Sequence, residues 1–377
     1  MTILDKVTAL LGEGAVLEAG TDRVPRIAPG SPDAIALLLG TAHQEGWRVR
    51  VEGAGSWLPS DAPADLALTT RRLDRVPAVE PQDLTATAEA GIGLDQLRQQ
   101  LADRGAWLAI DPPGLAGRTL GSIVATATAG PLRQGFGPVK DHLLGVTFVT
   151  GDGRMVQSGG RVMKNVAGYD VSRLVAGSLG KLGVIAEASL KVLPRPPAQR
   201  TLRFDMDQPA ALDAMNVWAG EPLPISASAW HEGALHLRLS GSAAAVQAAA
   251  PRLGGTELAD DAALWRAIRE QTHAFFGGEG PLWRIAVPST AAPLALSGAQ
   301  LLEWNGGLRW LRSSAGAQEI RAAAKRAGGH ATLFRARDKS SGVFTPLDPV
   351  LLRLHRGLKS AFDPAGILNP GRMYAEF

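Results

Sequence analysis

The chain has 377 residues, 45% of them hydrophobic and 20% charged, and a formal net charge of +3. That is the profile of a globular protein of about two or three domains, and the absence of a dense Lys/Arg run gives no sign of a nucleic-acid partner. Cysteine is absent, which excludes disulfides, a thiolate nucleophile, Cys-ligated zinc, a Cys-ligated iron–sulfur cluster and a cysteinyl flavin within this chain.

The opening MTILDKVTALLGEG has mixed charge and no apolar core before a small-residue cleavage site, so no signal peptide is expected. No window approaches the ~18 apolar residues of a membrane span, and the cytoplasm is the expected location. Ser31-Pro32-Asp33 reads as an N-cap, a first-turn proline and a first-turn acid, with Ile35, Leu38, Leu39 and Ala42 at helical spacing and a stop at Gly46. Residues 47–51 alternate as a strand and run into Gly53-Ala54-Gly55-Ser56. Short strands follow over 66–69 and 84–90, then a helix over 91–104 with Leu94, Leu97 and Leu101 on one face. DPPGLAGRTLGSIVATATAGPLRQGFG, residues 111–137, reads as loop throughout. Residues 146–157 form a hairpin about Gly151-Asp152-Gly153. Residues 161–196 place Gly168, Gly177, Gly180 and Gly183 ahead of a strand over 185–193, and PRPP at 194–197 reads as a linker.

From residue 200 the texture changes. Strands are predicted over 202–206, 225–230, 234–239, 282–287, 300–304, 308–312 and 331–335, with helices over 209–219, 242–250, 260–274 and 316–327. This predicts an antiparallel sheet with helices on one face. The last segment, 346–377, holds a helix with Leu351, Leu354, Leu358 and Phe362 in register, then FDPAGILNPG.

Glycine lets main chain lie close to a ligand, although it also marks ordinary turns. Successive N–H groups at Gly53–Ser56 suit an anion-binding nest. The common nucleotide motifs fail: G-x-G-x-x-G is incomplete there, and Leu182 after Gly180-Lys181 rules out a Walker A loop. The histidines are scattered. His231 and His236 are poor joint metal ligands, His142 suits a structural hydrogen bond, and His273 suits packing beside Phe275 and Phe276. No Ser–His–Asp set stands out. Tyr169 reads equally as a ligand contact or a packed tyrosine. Lys164 and Arg173 read first as surface residues and second as phosphate or flavin contacts.

Taken in order, these segments resemble the PCMH-type FAD-binding domain of the vanillyl-alcohol oxidase flavoprotein family, over residues 1–197 and 360–373. RTLGSIVATATAG resembles the loop that holds the flavin diphosphate. Asp141-His142-Leu143-Leu144-Gly145 resembles a strand entry, GSLGKLGVIAEASLKVLPRP the G-x-G-x-x-G-V-I-x-E strand, and FDPAGILNPGRMY the tail that returns to the flavin. The KNVAGYD and LVAGSLGKLGVI combination is most similar to FAD-binding subunits of bacterial glycolate oxidase.

The resemblance implies an α+β fold. A PCMH-type FAD-binding domain of two α+β subdomains (1–197) is followed by a smaller α+β substrate or cap-like domain (198–345) with an antiparallel sheet and helices. A C-terminal segment (346–377) packs back on the FAD domain. Implied cofactor-binding residues are Gly53, Ala54, Gly55, Ser56, Trp57, Pro112, Thr119, Gly121, Ser122, Ala125, Gly130, Asp141, Gly183, Val184, Ile185 and Asn369. The implied activity is oxidation of glycolate to glyoxylate with FAD, together with a GlcD-like flavoprotein subunit and a GlcF-like iron–sulfur subunit. Any membrane contact would run through those partners.

Departures from the family pattern carry information. No histidine stands at the Gly53–Trp57 nest and no cysteine exists, so FAD is expected to be non-covalent. Ser122 replaces a glycine and Ala127 an asparagine. The family's G-H-x-G-D-G-N-x-H metal pattern is missing, Gly277-Gly278-Glu279-Gly280 being no match, so no metal is expected. No catalytic base or substrate-binding arginine can be picked out. Activity is therefore expected only in the complex, with an apolar partner face on the 198–345 side. A self-sufficient oxidase of another hydroxy acid or alcohol, or a scaffold with a vestigial FAD site, are the alternatives.

Overall fold

The structure is a computed structural model that describes residues 2–17, 22–55, 63–114, 117–161 and 169–376. Its first half holds two small sheets that share a wall. One has four strands in the order Val16–Leu17, Arg26–Ile27, Leu66–Thr69, Val49–Glu52, the last three running parallel. Helix Pro32–Glu45 supplies the crossover: the Ser31 hydroxyl accepts from the Ala34 N–H, Pro32 opens the first turn, and Gly46 ends it at φ 70°. Ile35, Leu38, Leu39 and Ala42 are all fully buried under this sheet.

The second sheet has five antiparallel strands in the order Ala78–Glu80, Thr85–Glu89, Val184–Lys191, Leu143–Val149, Met155–Gly159. Leu94, Leu97 and Leu101 of helix Leu94–Ala102 fill its core, as their spacing predicts. The strand Val184–Lys191 joins the two cores, with Val184 and Ala186 in one and Ile185, Ala188 and Leu190 in the other.

Residues 111–137 correct the reading as loop. Leu120–Thr126 and Arg133–Phe136 are helical. Small residues give a weak helix signal, and tertiary bonds supply the rest. The Thr119 hydroxyl caps the first of these helices, and the Gly121 N–H donates to the Ala90 carbonyl at 2.7 Å.

Residues 198–335 build one eight-stranded antiparallel sheet: Thr256–Glu257, Ala198–Asp205, Ala234–Gly241, Ile225–His231, Ala299–Glu303, Leu308–Arg312, Leu282–Ala286, His330–Arg335. Helices Gln208–Ala219, Ala243–Leu253 and Ala317–Arg326 pack on one face through Met215, Val246 and Ile320. Helix Asp261–Glu270 packs on the other, setting Trp265 and Ile268 on Ala227 and Ala229. Helices thus flank both faces, not one.

The expected apolar partner face on this half is not there: Val217 is the large hydrophobic that residues 198–345 leave exposed. Exposed apolar side chains gather instead on helix Pro349–Phe362, where Val350, Leu351 and Leu354 face solvent. The predicted stripe on that helix is half-buried at Leu358 and Phe362, toward its C-terminal end, and exposed at Leu351 and Leu354.

The tail after that helix folds back onto the first half. The Val49 N–H donates to the Ile367 carbonyl at 2.8 Å and the Asn369 N–H to the Val49 carbonyl at 2.9 Å, extending the parallel sheet by a short bridge. Lys359 Nζ donates to the Asp363 carboxylate, to the Leu368 carbonyl at 2.9 Å and to the Lys181 carbonyl at 3.0 Å. Asp363 also accepts the N–H groups of Ile367 and Leu368. Removing one partner of a buried ion pair costs about 3–5 kcal/mol, because it strands the other charge. Asp363→Ala is therefore expected to lower stability by about that amount, measured as a shift in the urea midpoint; an unchanged midpoint would show the clasp to be incidental.

Candidate functional site

Three glycine-containing segments converge where the two small sheets meet the tail. Strand Val49–Glu52 ends at Gly53-Ala54-Gly55, the first turn of helix Leu120–Thr126 presents Gly121 and Ser122, and Leu179–Gly180 leads to Gly183 and Ile185. Between them lies a cleft of ≈ 730 Å³, its open mouth included. Val51, Glu52, Thr70, Ala125, Thr126 and Arg372 complete the lining.

The walls approach one another only because side chains are missing. A Cβ on Gly53 would sit 2.1 Å from Thr119 Oγ1, and one on Gly121 would sit 2.8 Å from the Ala90 Cβ. A Cβ on Gly183 would meet the Phe148 ring at 2.6 Å. Gly55 has φ +71°, which disfavours any L side chain. The loop is tied from behind: Thr69 Oγ1 donates to the Gly53 carbonyl at 2.6 Å and Arg71 to the Ala54 carbonyl at 2.8 Å.

Charge in the cleft is paired. Glu52 is the acid in the lining, and it is clamped by Arg50 at 2.5 Å and Arg26 at 3.4 Å, with Asp22 as the fourth member. Arg372, brought in by the tail, is the lining cation. Its charge, after burial and the Lys359 charge, helps push the Lys181 ammonium down to about 8 against the pull of Asp363.

The structure brings Gly53, Ala54, Gly55, Gly121, Ser122, Ala125, Gly183 and Ile185 together around this cleft. Thr119 and Asn369 stand one layer behind. Asn369 is buried, accepts the Val51 N–H at 2.8 Å and donates to the Leu179 carbonyl at 2.7 Å, so it fixes two walls at once. Val184 points away, because neighbouring strand residues face opposite sides. Pro112 and Gly130 lie toward the large sheet: Trp304 Nε1 donates to the Gly130 carbonyl at 2.9 Å. Asp141 is exposed beside Arg173, away from the lining residues. Ser56, Trp57, Lys164 and Gly168 lie outside the described residues. Tyr169 is exposed, against the packed alternative. His142 is buried and bonds the Phe136 carbonyl at 3.0 Å, and His273 caps a short helix beside Phe275, both structural roles as expected.

Sequence reasoning passed over Glu52, Thr126 and Arg372, whereas Gly180 stood among the glycines of the 161–196 stretch. Arg372 stood in the quoted N-P-G-R tail, and its position next to the returning turn was the available signal. It also passed over a buried polar set where the two halves meet. Asp111 accepts the Leu132 N–H at 3.0 and 3.1 Å, and burial pushes its carboxyl up to about 6 against Arg238. Glu303 accepts from Trp310 Nε1 at 2.8 Å, and burial pushes its carboxyl up to about 8 against that bond. Among the described residues no His/Asp/Glu group is placed to hold a metal ion, and no helix is long and apolar enough to cross a membrane.

A glycine-built cleft between two small α+β sheets, closed by a returning tail, is the architecture of an FAD-linked oxidoreductase. Residues 26–159 match the FAD binding domain family, and residues 337–373 the C-terminal domain of FAD linked oxidases. A 4-ethylphenol oxidase from Gulosibacter chungangensis shares the fold at TM-score 0.73 and 14% identity, over 99% of this chain and 96% of that one.

The glycolate oxidase subunit GlcE of Escherichia coli (strain K12) is 45% identical over 79% of this chain and 84% of its own length. The glycolate oxidase subunit GlcD of Bacillus subtilis (strain 168) is 30% identical over 47% of this chain and 38% of its own. The chain belongs to the GlcE family of FAD-binding flavoprotein subunits.

Glu303 makes stability depend on pH. Between its ordinary value of 4.5 and about 8, the folded state holds a proton that the unfolded state has lost. Its contribution is full below that window and fades as pH rises through about 8. Urea melts of Glu303→Gln, which carries no titrating proton, are expected to gain on the wild type from pH 5 to about pH 8 and to hold a level difference above it. A constant difference from pH 5 to about pH 8 would contradict the assignment.

Proposed function

We propose that this chain is the non-covalent FAD-binding subunit of a glycolate oxidase complex that converts glycolate to glyoxylate. The observation that carries the reading is the glycine-built cleft, in a chain 45% identical to a GlcE subunit. When bound, FAD supplies the acceptor for the hydride of the hydroxy acid. The protein's part is to bind and orient it.

In this reading residues 1–197 form the FAD domain, 198–345 the cap, and 346–377 the closing segment. Gly53-Ala54-Gly55, with Ser56 and Trp57, and the Gly121–Ser122 turn take the diphosphate. Ala125, Gly183 and Ile185 flank the cofactor. Thr119, Val184 and Asn369 hold those walls in place. Pro112 and Gly130 meet the cofactor from the boundary with the cap, and Asp141 supports the strand entry.

The partners follow from the likeness to a GlcE subunit. In this reading electrons pass to a GlcF-like iron–sulfur subunit beside a GlcD-like flavoprotein subunit, and this chain, with no cysteine, holds no Cys-ligated cluster of its own. Steady turnover depends on those subunits. The chain works in the cytoplasm, and any membrane contact is made through them.

Three measurements test this. Purified chain is expected to show a flavin spectrum, and acid precipitation to release all of the FAD; colour left in the pellet would overturn non-covalent binding. Gly53→Val, which drives a side chain into Thr119, is expected to lose most of the flavin while the far-ultraviolet circular dichroism stays near wild type. Sustained glycolate oxidation is expected only after the partner subunits are added, and sustained turnover by the lone chain would favour a self-sufficient enzyme.

A further inference from the structure

The large sheet turns a polar face toward the first half of the molecule. Directly opposed residues on neighbouring strands share a face, as do alternate residues along one strand. Arg238 opposes Ala227, while Ala229 opposes both His236 and Glu303. Trp310 opposes both Leu301 and Arg284. Arg238, Glu303, Trp310 and Arg284 therefore lie on one face, contributed by four strands. Asp111 comes to it from the other half, within electrostatic reach of both Arg238 and Glu303.

Each group is held firmly from one side. Ser226 Oγ accepts from Arg238 Nε at 3.0 Å, and the Arg238 guanidinium lies 4.8 Å from the centre of the Trp265 ring. Trp310 fixes Glu303 Oε1, and Arg284 lies against the Trp304 ring at 5.4 Å. Two atoms are left over. Glu303 Oε2 and Arg238 Nη2 have no hydrogen-bond partner, on residues only 3% and 6% exposed. Leaving such groups unpaired costs their full desolvation, so native structures rarely do it without a functional reason.

The charge balance says what kind of partner is missing. Arg238, Arg284 and Arg98 face Asp111 and Glu303, and burial keeps Glu303 protonated near neutral pH. Arg269 is taken by Glu270 at 2.7 Å. The excess is positive, which favours an anion over a metal ion. Burial limits that anion to a few atoms.

We propose that this sheet face binds a small 2-hydroxy carboxylate, with its carboxylate on Arg238 Nη2 and its adjacent hydroxyl on Glu303 Oε2. The inference rests on the reading of the chain as a glycolate oxidase subunit. It adds that this chain, and not only its partners, holds the hydroxy acid. Ser226 and Trp310 are positioning residues, since each fixes the side of its partner that faces away from the ligand.

The test is equilibrium titration of the purified FAD-loaded chain, followed by tryptophan fluorescence and repeated by calorimetry. Glycolate, acetate and ethylene glycol are the probes. Glycolate is expected to bind about tenfold tighter than acetate, which lacks the buried hydrogen bond to Glu303, and ethylene glycol not at all. Arg238→Met is expected to lose both acids and Arg238→Lys to retain part of the affinity. Glu303→Ala is expected to keep acetate binding but lose the preference for glycolate. Equal binding of glycolate and acetate by the wild type, or wild-type glycolate binding by Arg238→Met, would overturn the proposal. Should Arg238→Met fail to fold, the wild-type ligand series and Arg238→Lys decide. A chain that carries FAD but binds no glycolate sinks this inference alone, whereas a chain that carries no FAD sinks the reading beneath it.

Discussion

The return of the C-terminal tail to the first half is the constraint on which the rest of the structure depends. Lys359, Asp363, Lys181 and Asn369 are each less than a tenth exposed and lock together helix Pro349–Phe362, the strand at Val49 and the turn at Leu179. Buried charges of this kind contribute little net stability beyond what apolar packing would give, but breaking one strands the other. The clasp therefore acts as a register device. It sets two walls of the cleft relative to each other, across a chain separation that local structure cannot bridge.

Within that frame the cleft is built by omission. Its walls come close because glycine stands at Gly53, Gly121 and Gly183, where any side chain would strike Thr119, Ala90 or Phe148. Backbone then lines much of the space, as a diphosphate requires. Charge around it is neutralised in advance: the Glu52 carboxylate is spent on Arg50 and Arg26, and Arg372 arrives with the tail. Positioning and chemistry are thus divided between strand ends that are rigid and a tail that is clamped.

The large sheet follows a different principle. Its outer face is closed by apolar helices, whereas its inner face carries buried arginines and carboxyls toward Asp111. A polar face costs desolvation that packing alone would not demand. The cost falls where the two halves meet, next to Pro112 and Gly130. Trp304 and Asn305, both in left-handed backbone at φ 55° and 56°, form the contact there. Strain and buried charge concentrated at one boundary are what a binding site between two layers asks of its scaffold.

Local rules made much of this legible in the sequence. Ser31-Pro32-Asp33 announced a helix because capping is local chemistry, and Leu94, Leu97 and Leu101 announced a buried face because the helical period is local geometry. The Gly53–Gly55 loop suggested an anion-binding nest because close backbone approach selects glycine, and the N-P-G tail pointed to a flavin cleft through its resemblance to the family motif. The helix Leu120–Thr126 was hidden, since its small residues have weak propensity and its stability comes from Thr119 and the Ala90 carbonyl. Nothing local marked Arg50 and Arg118 as almost completely buried; the fold sets Arg50 on Asp22, 28 residues away in the chain, and folds Thr126 and Thr128 back onto Arg118. The exposed leucines of helix Pro349–Phe362 looked like core, since periodicity reports a face and not what covers it. Sequence by itself determined most of the elements and, through the motif resemblance, the family and the cofactor class, because caps, periodicity and motifs are short-range patterns. Tertiary structure alone decided which charges are buried, which way Val184 and Asp141 face, and that Arg238 and Glu303 share one sheet face, because those depend on strand register and on contacts between residues far apart in the chain.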